Sequence, residues 1–195
     1  MNHKQGQGGW MSIKADMEKA YDRVEWCFVL KVFELFGFSR KWINWIAQCI
    51  STSYFSILLN GSPFGNFCPT RGIRQGDPLS PALFILCSEV LSRLFSREES
   101  LGRLKSIKVG RDAPSISHLL FAYDLLLFGK ATLQEATILD ECLGKYMAWS
   151  KQKVNREKSS VHFSKNFRGQ PVVAILDQLR LKKLPSKAKH LASLC

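Results

Sequence analysis

His118 to Phe128 reads HLLFAYDLLLF, eleven residues in which Asp124 is the single carboxylate. On either side lie two apolar runs of strand length, Ile116 to Ala122 and Leu125 to Phe128, with Tyr123 and Asp124 at the bend between them. A carboxylate in such surroundings has to be paired, bound to a metal or presented at a solvent-facing turn. Taken alone, Asp124 reads as a turn former. A second carboxylate changes the weight of that reading. Ser12 to Glu18 alternates strictly, with Ser12, Lys14, Asp16 and Glu18 on one face and Ile13, Ala15 and Met17 on the other. That is the period of a half-buried strand, and it points Asp16 away from the core. Polar strand faces are commonly just solvated, but neighbouring strand ends of one small sheet can bring two carboxylates together.

The residues between these strands are expected to be mostly helical. Val24 to Phe36 is apolar almost all round and Gly37 ends it, the pattern of a largely buried helix. Ser39 caps a second helix carrying Trp42, Ile43, Trp45, Ile46, Cys49 and Ile50. Tyr54 to Leu59 and Phe64 to Cys68, joined through Asn60-Gly61, predict a hairpin. After RGIRQG (Arg71 to Gly76), Asp77 occupies an N-cap position and Pro78 the first helical one. They open a helix to about Ser96 with Leu79, Leu83, Leu86, Val90, Leu91 and Leu94 at core spacing. A weak strand follows at Leu104 to Val109, then the two strands around Asp124, a helix from Thr132 to Trp149 and a last strand from Ser160 to Ser164. The order βααββαβββαβ mixes hairpins with long helices and predicts an α+β fold.

A chain of 195 residues with 46% hydrophobic composition can build one domain with a real core, plus a tail. Its six cysteines are scattered singly, with no CxxC pair and no grouping with His3, His118, His162 or His190. That pattern suggests neither a zinc site nor a disulfide framework, and it suits a reducing, intracellular setting, nucleus or cytoplasm. No run approaches the roughly 20 apolar residues of a membrane span, and MNHKQGQGGW lacks the apolar region of a signal peptide, so no membrane partner is expected. The net charge of +12 is uneven: residues 151 to 195 hold 11 Lys or Arg against Glu157 and Asp177 alone. Such a stretch suits phosphate binding, and it equally suits a solvated, partly disordered end.

Paired carboxylates on strand ends are what two-metal phosphoryl or nucleotidyl transfer requires, since oxygen ligands must hold two magnesium ions about 3.5 to 4 Å apart. A nucleotide cradle would complete such a site. RGIRQGDPLSP supplies a candidate: Gly72 and Gly76 allow close backbone approach, Arg71 and Arg74 offer charge, and the helix after it turns its positive end outward. The same residues also read as an ordinary capped helix start.

Four stretches together are more specific than any one of them. KADMEKAYDRVEW (Lys14 to Trp26), RGIRQGDPLSPALF (Arg71 to Phe84), HLLFAYDLLLF (His118 to Phe128) and VNREKSSVHFS (Val154 to Ser164) resemble, in order and spacing, successive motifs of reverse transcriptases from non-LTR retrotransposons of the long interspersed type, plant members most of all. The resemblance covers roughly residues 1 to 166 and implies the palm of a polymerase, a ferredoxin-like antiparallel sheet packed on helices. Residues 167 to 195 remain as a basic tail or thumb remnant. It also implies an RNA template, a DNA primer, deoxynucleoside triphosphates, and Mg2+ or Mn2+. Asp16 and Asp124 match metal-binding, catalytic aspartates, and Tyr21 the aromatic residue that excludes a 2′-hydroxyl. Gln75 and Gly76 match the pair lining the nucleotide and template site, beside Arg71 and Arg74. Lys158 matches a lysine near the departing pyrophosphate, and reads equally as a solvated lysine in a basic loop.

Two positions depart from the family pattern. Tyr123 stands where the first aspartate of an adjacent pair is the direct metal ligand, and Lys151 stands where a glycine is usual. A phenol with an ordinary pKa of about 10 offers no carboxylate near neutrality. If the lost ligand contributed about 4 kcal/mol in the transition state, the rate would fall roughly a thousandfold. Glu18 shares a strand face with Asp16 and offers a stray carboxylate, but it sits two residues along, roughly 6 to 7 Å away, and is not expected to replace the ligand lost at position 123. The family also places fingers, and usually an endonuclease, ahead of these motifs, so fingers and most of the thumb are expected to be missing. The expectation is therefore an impaired reverse transcriptase domain. A non-catalytic nucleic-acid-binding fragment and a functionless element remnant are the alternatives. Nothing in the sequence addresses oligomeric state.

Overall fold

In the computed structural model, residues 9–121, 124–165 and 167–184 are described. In chain order the elements are β1 (Trp10–Met17), α1 (Ala20–Arg23), α2 (Trp26–Leu35), α3 (Arg40–Ser51), β2 (Phe55–Leu59), β3 (Ser62–Phe67), α4 (Ser80–Ser100), β4 (Ile107–Lys108), β5 (Ser115–Ile116), β6 (His118–Phe121), β7 (Asp124–Lys130), α5 (Leu133–Ser150), β8 (Val154–Phe163), α6 (Gln170–Leu179) and β9 (Lys182–Lys183). Strands dominated by antiparallel pairing and long helices make this an α+β fold, as the sequence predicts. The chain divides into two compact units.

The first unit holds residues up to 18, residues 91 to 145 and those from 154 onward. Its centre is a sheet of order β6-β7-β1-β8-β9, in which β1 runs antiparallel to both β7 and β8. The alternation along β1 has its expected effect, with Met11, Ile13 and Ala15 fully buried. Ser12 departs from it: it lies on the polar face and is nonetheless only 4% exposed, because β1 is a middle strand and Ser12 is flanked by Phe128 and His162. Leu125 and Leu127 of β7, Phe95 of α4, Leu139 and Leu143 of α5, and Ile175 and Leu179 of α6 are also buried in this unit. Removing each such side chain from water contributes about 1.5 to 3 kcal/mol.

α5 starts with a Thr132 hydroxyl accepting the Glu135 N–H at 3.2 Å. The Glu135 carboxylate turns back and accepts the Lys130 N–H at 2.8 Å and the Lys105 N–H at 3.3 Å, which ties the helix to the end of β7 and to the approach to β4. Two further features differ from the sequence reading. β8 begins at Val154, six residues before the expected last strand. Beyond Gly169 the basic stretch forms α6, and then β9, which pairs parallel with β8. Val172, Ile175 and Leu179 recur at helical spacing and are buried, so burial of an apolar stripe outweighs the charge around it.

The second unit holds residues 19 to 90 and 146 to 153. Within it, Phe28, Val29, Val32 and Phe33 form the buried stripe of α2 while Cys27 and Leu35 are exposed, so this helix is half-buried rather than largely buried. Tyr146 packs edge-on against Phe28. Ser39 caps α3 as expected, accepting from Trp42. In the β2-β3 hairpin Asn60 and Gly61 both have positive φ, 50° and 81°, the geometry that the Asn-Gly pair favours. α4 starts at Ser80, two residues later than expected. Asp77 caps the turn that precedes it, its carboxylate accepting the Leu79 N–H at 2.7 Å, and the helix runs four residues past Ser96.

Candidate active site

At one end of the five-stranded sheet, Asp16 on β1 and Asp124 on β7 are direct cross-strand partners. Opposed residues of an antiparallel pair have Cα atoms about 4.5 to 5.5 Å apart, so the two carboxylates issue from neighbouring positions. The register also places Lys14 opposite Leu126, and its ammonium reaches diagonally to Asp124, Nζ to Oδ2 3.1 Å. Both side chains are more than a third exposed, 37% and 38%, and in such water-rich surroundings the pair contributes at most about 1 kcal/mol to stability. Tyr123 lies outside the described residues.

The other flank of Asp16 is built from the VNREKSS stretch. Lys14 pairs with Ser160 and Asp16 with Asn155, so two steps along β1 face five along β8, and residues 156 to 159 bulge out of the ladder. The Asn155 side chain accepts the N–H groups of Glu157 and Lys158 at 3.1 and 3.2 Å, closing a local turn. The Ser159 hydroxyl donates to the Asn155 carbonyl at 2.6 Å and accepts the Asp16 N–H at 3.0 Å. Ser159 thus supplies the acceptor that the bulge takes away from the Asp16 backbone. Lys158 is exposed within this bulge. Beside it, Arg156 donates to Asp140 of α5 at 3.1 Å and to the Leu179 carbonyl at the end of α6.

In the second unit Tyr21 and the 71–76 loop come together. The N–H groups of Gly72 and Ile73 donate to the carbonyls of Val24 and Tyr21, each at 2.8 Å, and the Trp26 indole donates to the Gly72 carbonyl at 2.6 Å. Gly72 has φ +86°, and a Cβ there would lie 2.9 Å from the Asp22 carbonyl oxygen, so the loop can be this close to α1 only with glycine. Tyr21 stacks on Phe84, rings 5.0 Å apart and 8° from parallel. Arg71, Arg74, Gln75 and Gly76 are exposed on the loop. Arg71 lies 3.8 Å from Glu25, and the Arg74 guanidinium sits 6.0 Å over the Phe55 ring.

Asp16, Asp124 and Lys158 therefore belong to one unit, and Tyr21 and the loop residues to the other. Sequence reasoning missed Lys14 as a partner of Asp124, and Asn155 and Ser159 as supports of Asp16. Lys14 was within reach, since the alternation already placed it on the Asp16 face. The donor set can also be compared with what metal ions need. Among the described residues no three His, Cys, Asp or Glu side chains group together, and of the two carboxylates one is already ion-paired. Magnesium demands a near-complete shell of oxygen ligands, and the described residues do not fit two such ions.

Residues 1–184 match the family model of the reverse transcriptases, RNA-dependent DNA polymerases. The chain belongs to this family. An uncharacterized mitochondrial protein of Arabidopsis thaliana is 56% identical over 71 residues, covering 36% of this reverse transcriptase domain and 58% of that protein. The Pol polyprotein of the retrotransposable element R2 from Popillia japonica is 31% identical over 116 residues, and that of R2DM from Drosophila melanogaster 28% over 156. They account for 59% and 80% of the domain, and the domain spans only 18% and 14% of their lengths. The resemblance to non-LTR retrotransposon reverse transcriptases stands, and the match to the reverse transcriptase family as a whole reaches residue 184, past the four motifs. Solved telomerase structures share the fold. That of Candida tropicalis has a TM-score of 0.61 at 17% identity, over 85% of this domain and 33% of that chain. That of Candida albicans with a telomeric RNA fragment has 0.59 at 16%, over 83% and 28%. This is the polymerase palm. Reverse transcriptases as a family act on RNA templates and use divalent metal ions. No helix among the described residues is long and apolar enough to cross a membrane.

Proposed function

We propose that this domain is the palm region of an RNA-directed DNA polymerase whose ancestral reaction adds deoxynucleotides to a DNA primer 3′-hydroxyl, and that nucleotidyl transfer is impaired in the present chain. The observation that carries the reading is the in-register pairing of Asp16 with Asp124 at one sheet end of a reverse transcriptase fold, next to a position, 123, that is tyrosine. On this reading Asp16 and Asp124 are the surviving acidic pair, and Ser159 positions the Asp16 backbone. Tyr21 and the Arg71 to Gly76 loop are the nucleotide-binding residues of one unit, and Lys158 is the candidate phosphate-binding lysine of the other. Residues 1 to 166 form the palm region; α6 follows it, and β9 adds an edge strand to the same sheet. When bound, divalent ions supply charge for the family's reaction. A neutral phenol at position 123 and an ion-paired Asp124 leave too little negative charge to hold them as a pair.

Primer extension on an RNA template, comparing the present chain with Tyr123→Asp in magnesium and in manganese, tests this. A gain of roughly a thousandfold in Tyr123→Asp supports the reading, since about 4 kcal/mol of transition-state stabilisation is at stake. Extension by the present chain at the rate of the variant would overturn the claim of impairment. The second reading, a non-catalytic nucleic-acid binder, draws on the excess of cations from residue 151 onward, and is favoured if neither chain extends a primer but both bind RNA.

A further inference from the structure

The Lys14 side chain has no place in the carboxylate chemistry implied by the family, yet it makes the closest ionic contact to Asp124 among the described residues. We propose that Lys14 is a resident counter-ion that holds Asp124 in the place of a divalent cation, so that the acidic pair binds such an ion only weakly until the charge of the lysine is removed. The proposal rests on the reading of this sheet end as the carboxylate site.

The geometry follows from β1 itself. Lys14 and Asp16 are two residues apart on one strand and so share a face. The register sets Asp16 opposite Asp124 and Lys14 opposite Leu126, two residues further along β7. A diagonal neighbour across an antiparallel pair lies within reach of a long side chain, and the Lys14 ammonium meets Asp124 Oδ2 at 3.1 Å. A divalent ion approaching Asp124 must either displace this ammonium or bind with a positive charge a few ångströms away. Each alternative lowers affinity. Lysine is a flexible, strongly hydrated cation and both partners are partly exposed, so the ammonium can be displaced, and high ion concentration would do so. Lys14 thus balances the Asp124 charge that a divalent ion would otherwise balance.

The test is Mn2+ binding by the full chain, with free Mn2+ read by electron paramagnetic resonance, for the present protein and for Lys14→Met, Lys14→Arg and Lys14→Met combined with Asp124→Asn. Lys14→Met keeps the length and the apolar stem while removing the charge, and is expected to bind one ion about tenfold more tightly, or better, because a unit charge near the ion is gone. Lys14→Arg should behave as the present protein, and the double variant should lose the gain. Equal affinity in a Lys14→Met protein with an unchanged unfolding transition would overturn the proposal, as would a gain that persists without Asp124. If Lys14→Met does not fold, Lys14→Gln replaces it with the same expectations. Because ion binding is read without primer or template, the proposal can fail while the palm assignment stands. Failure of primer extension likewise leaves it untouched.

Discussion

Lys151 has φ 59°, in the left-handed region, where it follows the last turn of α5 and its N–H donates to the Met147 carbonyl at 2.9 Å. A Cβ in that conformation crowds the following carbonyl, whereas glycine adopts it freely. The family's usual glycine at this position thus has a conformational reason. Lys151→Gly is expected to raise the free energy of unfolding by about 0.5 to 1 kcal/mol, seen as a higher urea midpoint at unchanged slope. A lower midpoint would show that the Lys151 side chain makes a contribution larger than its strain. Asp16 and Asp124 were legible because strict alternation and an apolar setting single them out. Asn155 and Ser159 were not, because a hydrogen bond from a backbone N–H to a serine hydroxyl 143 residues away has no period in sequence.

Among the elements, α5 carries its own titration. Glu135 at its first turn is only 6% exposed, and burial raises its carboxyl above the ordinary carboxylate pKa, partly offset by the Lys130 and Lys105 N–H groups. Because the folded-state pKa is the higher one, the folded protein binds the proton more readily than the unfolded chain. This contribution is fully present below the unfolded value of about 4.5 and is lost as pH rises through the folded one. Urea unfolding from about pH 4 to about pH 7 should therefore show a fall in stability that Glu135→Gln removes. An unaltered pH profile in the variant would contradict this. The strand-and-helix order was readable because β1, β7, α3 and the Asn60-Gly61 hairpin each carry a clean period or turn signal. The start of β8 was not, since NREKS is polar throughout and enters the ladder only through the Asx turn at Asn155.

For the whole molecule, charge is the property that matters most for partners: +12 overall, most of it from residue 151 onward. RNA binding by the full chain should weaken steeply with salt. About five phosphate contacts to a single strand would cost roughly a hundredfold between 50 and 200 mM. Affinity independent of salt in a filter-binding titration would remove nucleic acid as the partner of this basic stretch. The sequence by itself determined the α+β order, the polymerase ancestry carried by four motifs, and the absence of a carboxylate at position 123, since each depends only on residue type, period or spacing. Tertiary structure alone decided that Asp16 faces Asp124, that the Lys14 ammonium reaches Asp124, and that α6 packs as a helix within the sheet-bearing unit. Register, diagonal reach and burial of an apolar stripe are relations between segments distant in the chain, and no local pattern encodes them.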